Sequence, residues 1–157
     1  MRLNMKNIVL KSVTEEKLFE YANIVMKLCK EHFELRNKIG YEDYEHETEN
    51  YNVYNIIGDF KKAGVNYYFI EDNNNIVGTI ASYERNSEIN NEPIIYVDSF
   101  YILPEYRKMG YGEKAIEEVR KKAYPKKVEL HCLYGNEAEL FYDKIGGKKV
   151  KIVYSFE

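Results

Sequence analysis

The chain has 157 residues, 45% hydrophobic and 31% charged, the length and make-up of one water-soluble domain. It offers no run of about 20 apolar residues to cross a bilayer, and its opening MRLNMKNIVLKSVTEEK lacks the long apolar core and cleavage site of a secretory signal. Its net charge of −3 is unlike a nucleic-acid binder, because such proteins are more often basic overall.

That charge is uneven. Residues 1–106 hold 11 Lys/Arg against 18 Asp/Glu, whereas residues 107–157 hold 12 against 8. The C-terminal third can face an anion while the rest faces a cation or water. Two cysteines, Cys29 and Cys132, make neither a disulfide framework nor a metal knuckle. With no signal peptide, both are expected to be buried thiols of a cytoplasmic protein. No repeat or long Gly/Ser/Pro linker interrupts the sequence, so residues 1–157 are expected to form a single domain.

In chain order, residues 7–11 read as a short strand. Ser12-Val-Thr-Glu15 fits a capping box, with Thr14 a rival cap. Behind it Leu18, Tyr21, Ala22, Val25, Leu28, Cys29, His32 and Phe33 recur at helical spacing. Residues 34–50 are polar and tyrosine-rich, with Glu42, Asp43, Glu45, Glu47 and Glu49 clustered without Lys or Arg. A second helix is expected over about 51–63, ending at Gly64. Residues 67–71 and 76–83 flank a 72–75 turn as a hairpin. Residues 85–93 form a polar loop, and 94–103 a strong strand stopped at Pro104. The stretch 111–124 is a helix with Tyr111, Ala115, Ile116, Val119 and Ala123 on one side, ended by Pro125. Its outer face pairs Glu117 with Lys121 and Glu118 with Lys122. Then come a strand at 127–133, a short helix at 137–145 and a last strand at 149–156. This order predicts an α/β (α+β) fold, a mixed, mostly antiparallel central sheet flanked by helices.

Chemistry concentrates at Tyr101-Ile-Leu-Pro-Glu-Tyr-Arg-Lys-Met-Gly-Tyr-Gly112. A strand runs through Pro104 into Arg107-x-x-Gly110-x-Gly112 and then a helix. Glycines let a backbone approach a ligand closely, and the first N–H groups of a helix point outward at its positive end. Strand, glycine turn and helix together make an anion site suited to phosphate. The spacing is neither the dinucleotide-binding GxGxxG nor a P-loop. Downstream, Leu130-His-Cys-Leu-Tyr-Gly-Asn136 is followed by Ala138 and Phe141-Tyr-Asp-Lys-Ile-Gly-Gly147.

The two segments together resemble the GNAT superfamily of N-acetyltransferases, which carries Arg/Gln-x-x-Gly-x-Gly/Ala after its fourth strand and an Asn…Ala…Tyr-x-Lys-Leu/Ile-Gly stretch downstream. The motifs span residues 100–147, and the order of elements matches over nearly the whole chain. Asn136 stands one residue later than the family's asparagine; that position falls on Gly135.

The resemblance implies that an acetyl group passes from acetyl-coenzyme A (acetyl-CoA) to a primary amine, by direct attack in a ternary complex. It assigns the pantetheine arm to the backbone of Phe100, Tyr101 and Ile102. The pyrophosphate falls to the amides of Lys108, Met109, Gly110, Tyr111 and Gly112, with Arg107, Glu113 and Asn136 beside them. It makes Tyr142 the proton donor to the leaving thiolate, since a thiol titrates near pKa 8.5. His131 and Asp98 are the candidates for a base, with Glu129 on the same strand face as His131. The acidic run at 42–49 lies where this family meets its acceptor, a small cationic amine or a protein or peptide amine. The alternatives are a non-catalytic acyl-CoA-binding sensor or partner module of the same fold, and a phosphate-binding domain of another fold. No metal, nucleic acid or membrane partner is expected, and a homodimer stays open.

Overall fold

Apolar alternation sets the first strand: in β1 (Ile8–Ser12), Ile8 and Leu10 are buried between exposed Val9 and Lys11. The computed structural model describes residues 7–40, 52–60 and 62–156. After β1 come a 3-10 turn at Glu15–Lys17, α1 (Leu18–Lys38), α2 (Val53–Asp59), β2 (Val65–Asp72), β3 (Asn75–Asn86) and β4 (Pro93–Ile102). A 3-10 turn at Pro104–Tyr106, α3 (Tyr111–Ala123), β5 (Lys127–Leu130) and α4 (Ala138–Lys144) complete the order. The five described strands lie side by side in chain order. The first three pairs are antiparallel, while β4 and β5 are parallel and joined by α3. The mixed, mostly antiparallel sheet expected from the sequence is present.

The β2–β3 hairpin turns on Asn73 and Asn74, at φ 48° and 67°. Asparagine tolerates this left-handed backbone better than most residues. Each face of the sheet carries its own core. On one, Ile70, Ile80 and Val97 pack with Tyr111, Ala115 and Val119 of α3. On the other, Phe69, Tyr101 and Leu103 pack with Leu18, Tyr21, Ile24 and Leu28 of α1. The buried stripe of α3 is the one its sequence spacing predicts.

Several local readings differ. The first helix is preceded by a 3-10 turn, and Thr14 makes no side-chain cap bond there. The second helix is short and begins at Asn52, whose Oδ1 accepts from the Asn55 N–H at 3.0 Å. On α3 the ion pairs form at i,i+3, Lys114–Glu117 at 3.2 Å and Lys121–Glu118 at 2.9 Å. Cys29 is half-buried and Cys132 is exposed. The second thiol is not buried because β5 ends at Leu130 and leaves Cys132 in a loop.

The expected last strand at 149–156 is absent. Val150, Ile152, Val153, Tyr154 and Phe156 are exposed, and the segment is held by ion pairs instead. Lys149 meets Glu139 at 2.8 Å and Asp143 at 3.2 Å, and Lys151 meets Glu88. Alternation makes a strand only where a neighbouring backbone pairs with it. Here no described strand does.

Gly78 in β3 faces Ile102 of β4, and a Cβ built on it stands 2.1 Å from the Tyr101 carbonyl oxygen. Only the missing side chain lets the two backbones meet there. Gly78→Ala is therefore expected to lower the unfolding free energy by at least ~2 kcal/mol, the scale of forced overpacking. Urea unfolding of the variant measures this; a loss below ~0.5 kcal/mol would show that the strands separate freely at this point.

Candidate active site

The site begins with a defect in the sheet. Ala81 of β3 pairs with Ser99 of β4, but the next residue, Ser82, pairs with Val97. Asp98 is the extra residue, a β-bulge. Without it, Val97 and Ser99 would share a face, because side chains alternate along a strand. With it, Val97 packs toward α3, and Ser99 faces Tyr21 of α1. The pairing of β4 with β5 stops at the same place: it runs from Ile94–Lys127 to Val97–Leu130 and no further. Beyond Val97, the stretch Ser99–Ile102 has β3 on one side and no described strand on the other. A strand edge of this kind offers backbone N–H and C=O groups to a ligand.

The edge leads directly into the glycine turn. Lys108 and Gly110 have φ 61° and 86°, and Gly110 caps α3. The first helical bond runs from the Lys114 N–H to the Gly110 carbonyl at 3.2 Å, so the helix supplies no acceptor for the amides ahead of it. A Cβ on Gly110 would meet nothing within 4 Å, whereas one on Gly112 would sit 3.0 Å from the Phe141 ring and 3.6 Å from that of Phe100. One glycine thus keeps the approach to the amides open. The other lets α4 and β4 close against the start of the helix. Tyr111 fixes that start from below: its hydroxyl donates to Asp72 Oδ2 at 2.7 Å, a bond that helps push its pKa up to about 12. Met109, Glu113 and Lys108 are exposed around the turn.

Arg107 does not reach toward the turn. Its Nε donates to the Ile102 carbonyl at 2.9 Å, and its Nη2 donates to both carboxylate oxygens of Glu31, each at 3.0 Å. Tyr101 donates its hydroxyl to the same carboxylate at 3.0 Å. Glu31 belongs to α1, and nothing in the sequence singles it out.

Tyr142 lies on α4 beside Phe141, with ring centroids 5.3 Å apart. Burial pushes its phenol pKa up strongly, and the neighbouring Cys132 adds to this. The phenol therefore keeps its proton at neutral pH. Asn136, the residue with the one-position offset, turns its Oδ1 onto the Ala138 N–H at 3.0 Å and so caps α4.

His131 follows the end of β5, exposed, its ring edge-to-face with Tyr96 at 5.1 Å. Glu129 points elsewhere, accepting from Ser87 Oγ at 2.7 Å. Asp98 is exposed on the bulge, and its charge raises the pKa of three phenols, Tyr21, Tyr67 and Tyr96, each of which is shifted mainly by burial. Asp98 and His131 thus flank one tyrosine, Tyr96, at the mouth of the gap between β4 and β5. The acidic run at Glu42–Glu49 lies outside the described residues. Among the described residues, no group of His, Cys, Asp and Glu is placed to hold a metal ion, and no helix is long and apolar enough to cross a membrane. A surface hollow of about 660 Å³, lined by residues such as Lys11, Glu71 and Tyr106, includes none of these candidate residues.

Comparison with known proteins places the chain in a family and matches its fold. The sequence matches the model of the acetyltransferase (GNAT) family over residues 27–146. No curated protein sequence matches it. Among solved structures, YycN of Bacillus subtilis superposes with a TM-score of 0.72 at 20% identity, covering 96% of this chain and 98% of that one. AAC(6')-Iy, solved with the bisubstrate analogue CoA-S-monomethyl-acetylneamine, gives 0.66 at 12% identity over 96% and 97%. The ribosomal-protein-alanine N-acetyltransferase of Brucella melitensis gives 0.64 at 10% identity over 96% and 98%. At such identities the superpositions speak to the fold, while the family match spans well over half the sequence: the chain belongs to the acetyltransferase (GNAT) family and is an acetyl-CoA-dependent N-acetyltransferase.

Proposed function

We propose that residues 1–157 act as one cytoplasmic acetyltransferase domain whose acceptor is a cationic primary amine, on a small molecule or a peptide. The observation that carries this reading is the gap that opens between β4 and β5 at Asp98 and leads into the glycine turn. It supports a pantetheine arm along Phe100–Ile102 and a pyrophosphate over the amides of residues 108–112, with the acceptor arriving past Asp98 and His131. Acetyl-CoA supplies the activated acyl group. The chain's part is to bind it, to orient the amine and to handle two protons. Half-buried Tyr142 donates one to the departing sulfur. His131 or Asp98, both exposed, removes the other from the amine, directly or through water.

Three outcomes test this. Acetyl-CoA at 100 times its Kd should stabilise the native state by ~2.7 kcal/mol, a Tm rise of roughly 5–10 °C for a chain of this size. Gly110→Asp should remove most of that rise by setting a charge against the pyrophosphate. Gly110→Asn, which tolerates the same left-handed backbone without the charge, should keep more of it. Equal rises in all three proteins would put the cofactor elsewhere.

Tyr142→Phe keeps the ring and removes the proton. The expected result is a fall in kcat on the order of a hundredfold with acetyl-CoA affinity retained. Because the raised pKa leaves the phenol protonated below the alkaline range, the factor should be the same at pH 6 and pH 9. Wild-type turnover where chemistry limits the rate would remove Tyr142 from the reaction.

A cationic acceptor attracted by the exposed carboxylate of Asp98 should show a KM that rises with ionic strength, since salt screens exposed charges. Asp98→Asn should raise that KM up to about fivefold, the scale of an exposed ion pair, and flatten its salt dependence. A best acceptor that is neutral or anionic contradicts this part of the reading.

A further inference from the structure

Glu31 sits on α1, 76 residues from Arg107, yet its carboxylate gathers three hydrogen bonds from the end of β4 and the start of the turn. Arg107 Nη2 reaches both of its oxygens at 3.0 Å, and the Tyr101 hydroxyl reaches one at 3.0 Å. The same guanidinium holds the Ile102 carbonyl at 2.9 Å through Nε and lies 5.0 Å from the centre of the Tyr101 ring. Burial and the bond to Glu31 push the Tyr101 phenol up to about 12, so it stays a donor across the working pH range. Helix, strand end and turn are thereby joined through one carboxylate and one guanidinium.

We propose that Glu31 is a positioning residue for the cofactor: it holds Arg107 in a clamp that fixes Ile102 and the 107–112 turn, so that Arg107 acts through backbone placement and not as a charge on the phosphates. This rests on the reading that the turn holds the cofactor. Arginine suits the task better than lysine, because its planar fork holds two separate nitrogens, Nε and Nη2, toward the carbonyl and the carboxylate, whereas an ammonium offers a single nitrogen. The clamp also ties the cofactor turn to α1, the helix whose Tyr21 reaches Ser99 beside the bulge. The two substrates' sides of the sheet thus share one support.

The two roles for Arg107 predict opposite results. If Arg107 serves the phosphates, Glu31→Gln frees it and coenzyme A binds as well as before or better. If it serves the clamp, Glu31→Gln weakens coenzyme A binding. Titration calorimetry with coenzyme A should show Kd rising about fivefold for Glu31→Gln, the upper range for a half-exposed ion pair. The KM for acetyl-CoA should rise by a similar factor and kcat change less. Arg107→Lys, which keeps the charge but loses the fork, should do the same. The double variant Glu31→Gln/Arg107→Lys should be no worse than either alone, because both break one unit. The ligand-free Tm of each variant should stay within a few degrees of wild type, which separates positioning from general stability. Unchanged or tighter binding in Glu31→Gln, a harmless Arg107→Lys, or losses that multiply in the double variant would overturn the clamp. If coenzyme A fails to stabilise the wild type itself, the cofactor turn is misplaced and the clamp falls with it.

Discussion

One residue too many in β4 is the constraint from which the site follows. A strand paired on both sides has no free backbone to give a ligand. At Asp98 the extra residue breaks the register with β3, and parallel pairing with β5 ends at Val97. The two strands then go separate ways. β5 stops at Leu130, and β4 continues to Ile102 with β3 as its one described neighbour. The bulge also exchanges the faces of the strand, so that Val97 belongs to the core under α3 while Ser99 and Tyr101 look toward α1. A regular strand would have kept the sheet closed and Ser99 away from Tyr21.

Around that gap the electrostatics differ from place to place, and each difference has a structural cause. At the turn, the positive end of α3 and an open approach above Gly110 favour an anion. On α4, burial keeps the Tyr142 phenol neutral. At the mouth, Asp98 and His131 remain in contact with solvent. A proton donor that must hold its proton until the sulfur leaves benefits from burial, because burial disfavours the phenolate. A group that takes a proton from an incoming ammonium and passes it to water benefits from exposure.

Much of this was legible in the sequence, and the exceptions share a cause. The stripe on α3 and the hairpin on Asn73-Asn74 are local, and periodicity or turn chemistry is enough to see them. The turn at 107–112 is also local, since its glycines sit next to the strand and the helix they join. The bulge is not: it exists only when Ser82 and Val97 are laid side by side. Glu31 is further out of reach, because its role depends on Arg107 and Tyr101 coming from another part of the chain. The segment 149–156 shows the reverse failure. Its alternation is clear, but a strand needs a partner, and ion pairs from Lys149 and Lys151 hold the segment elsewhere. Asn136 shows how a motif residue can be diverted, since its side chain is engaged in capping α4.

The clamp gives a physical reason for building an anion site from backbone rather than from an arginine side chain. A guanidinium placed on the phosphates would contribute charge, but a long side chain must be ordered each time the ligand binds, at up to ~2 kcal/mol of rotamer entropy. Here Glu31, the Tyr101 ring and the Ile102 carbonyl order Arg107. The amides of the turn are likewise fixed by the left-handed backbone at Lys108 and Gly110 and by the bond of Tyr111 to Asp72. A cofactor held there as proposed would then require little further ordering of the protein. Because the ordering runs through α1, a displacement of that helix would loosen the proposed cofactor turn, a mechanical connection that the sheet alone does not provide.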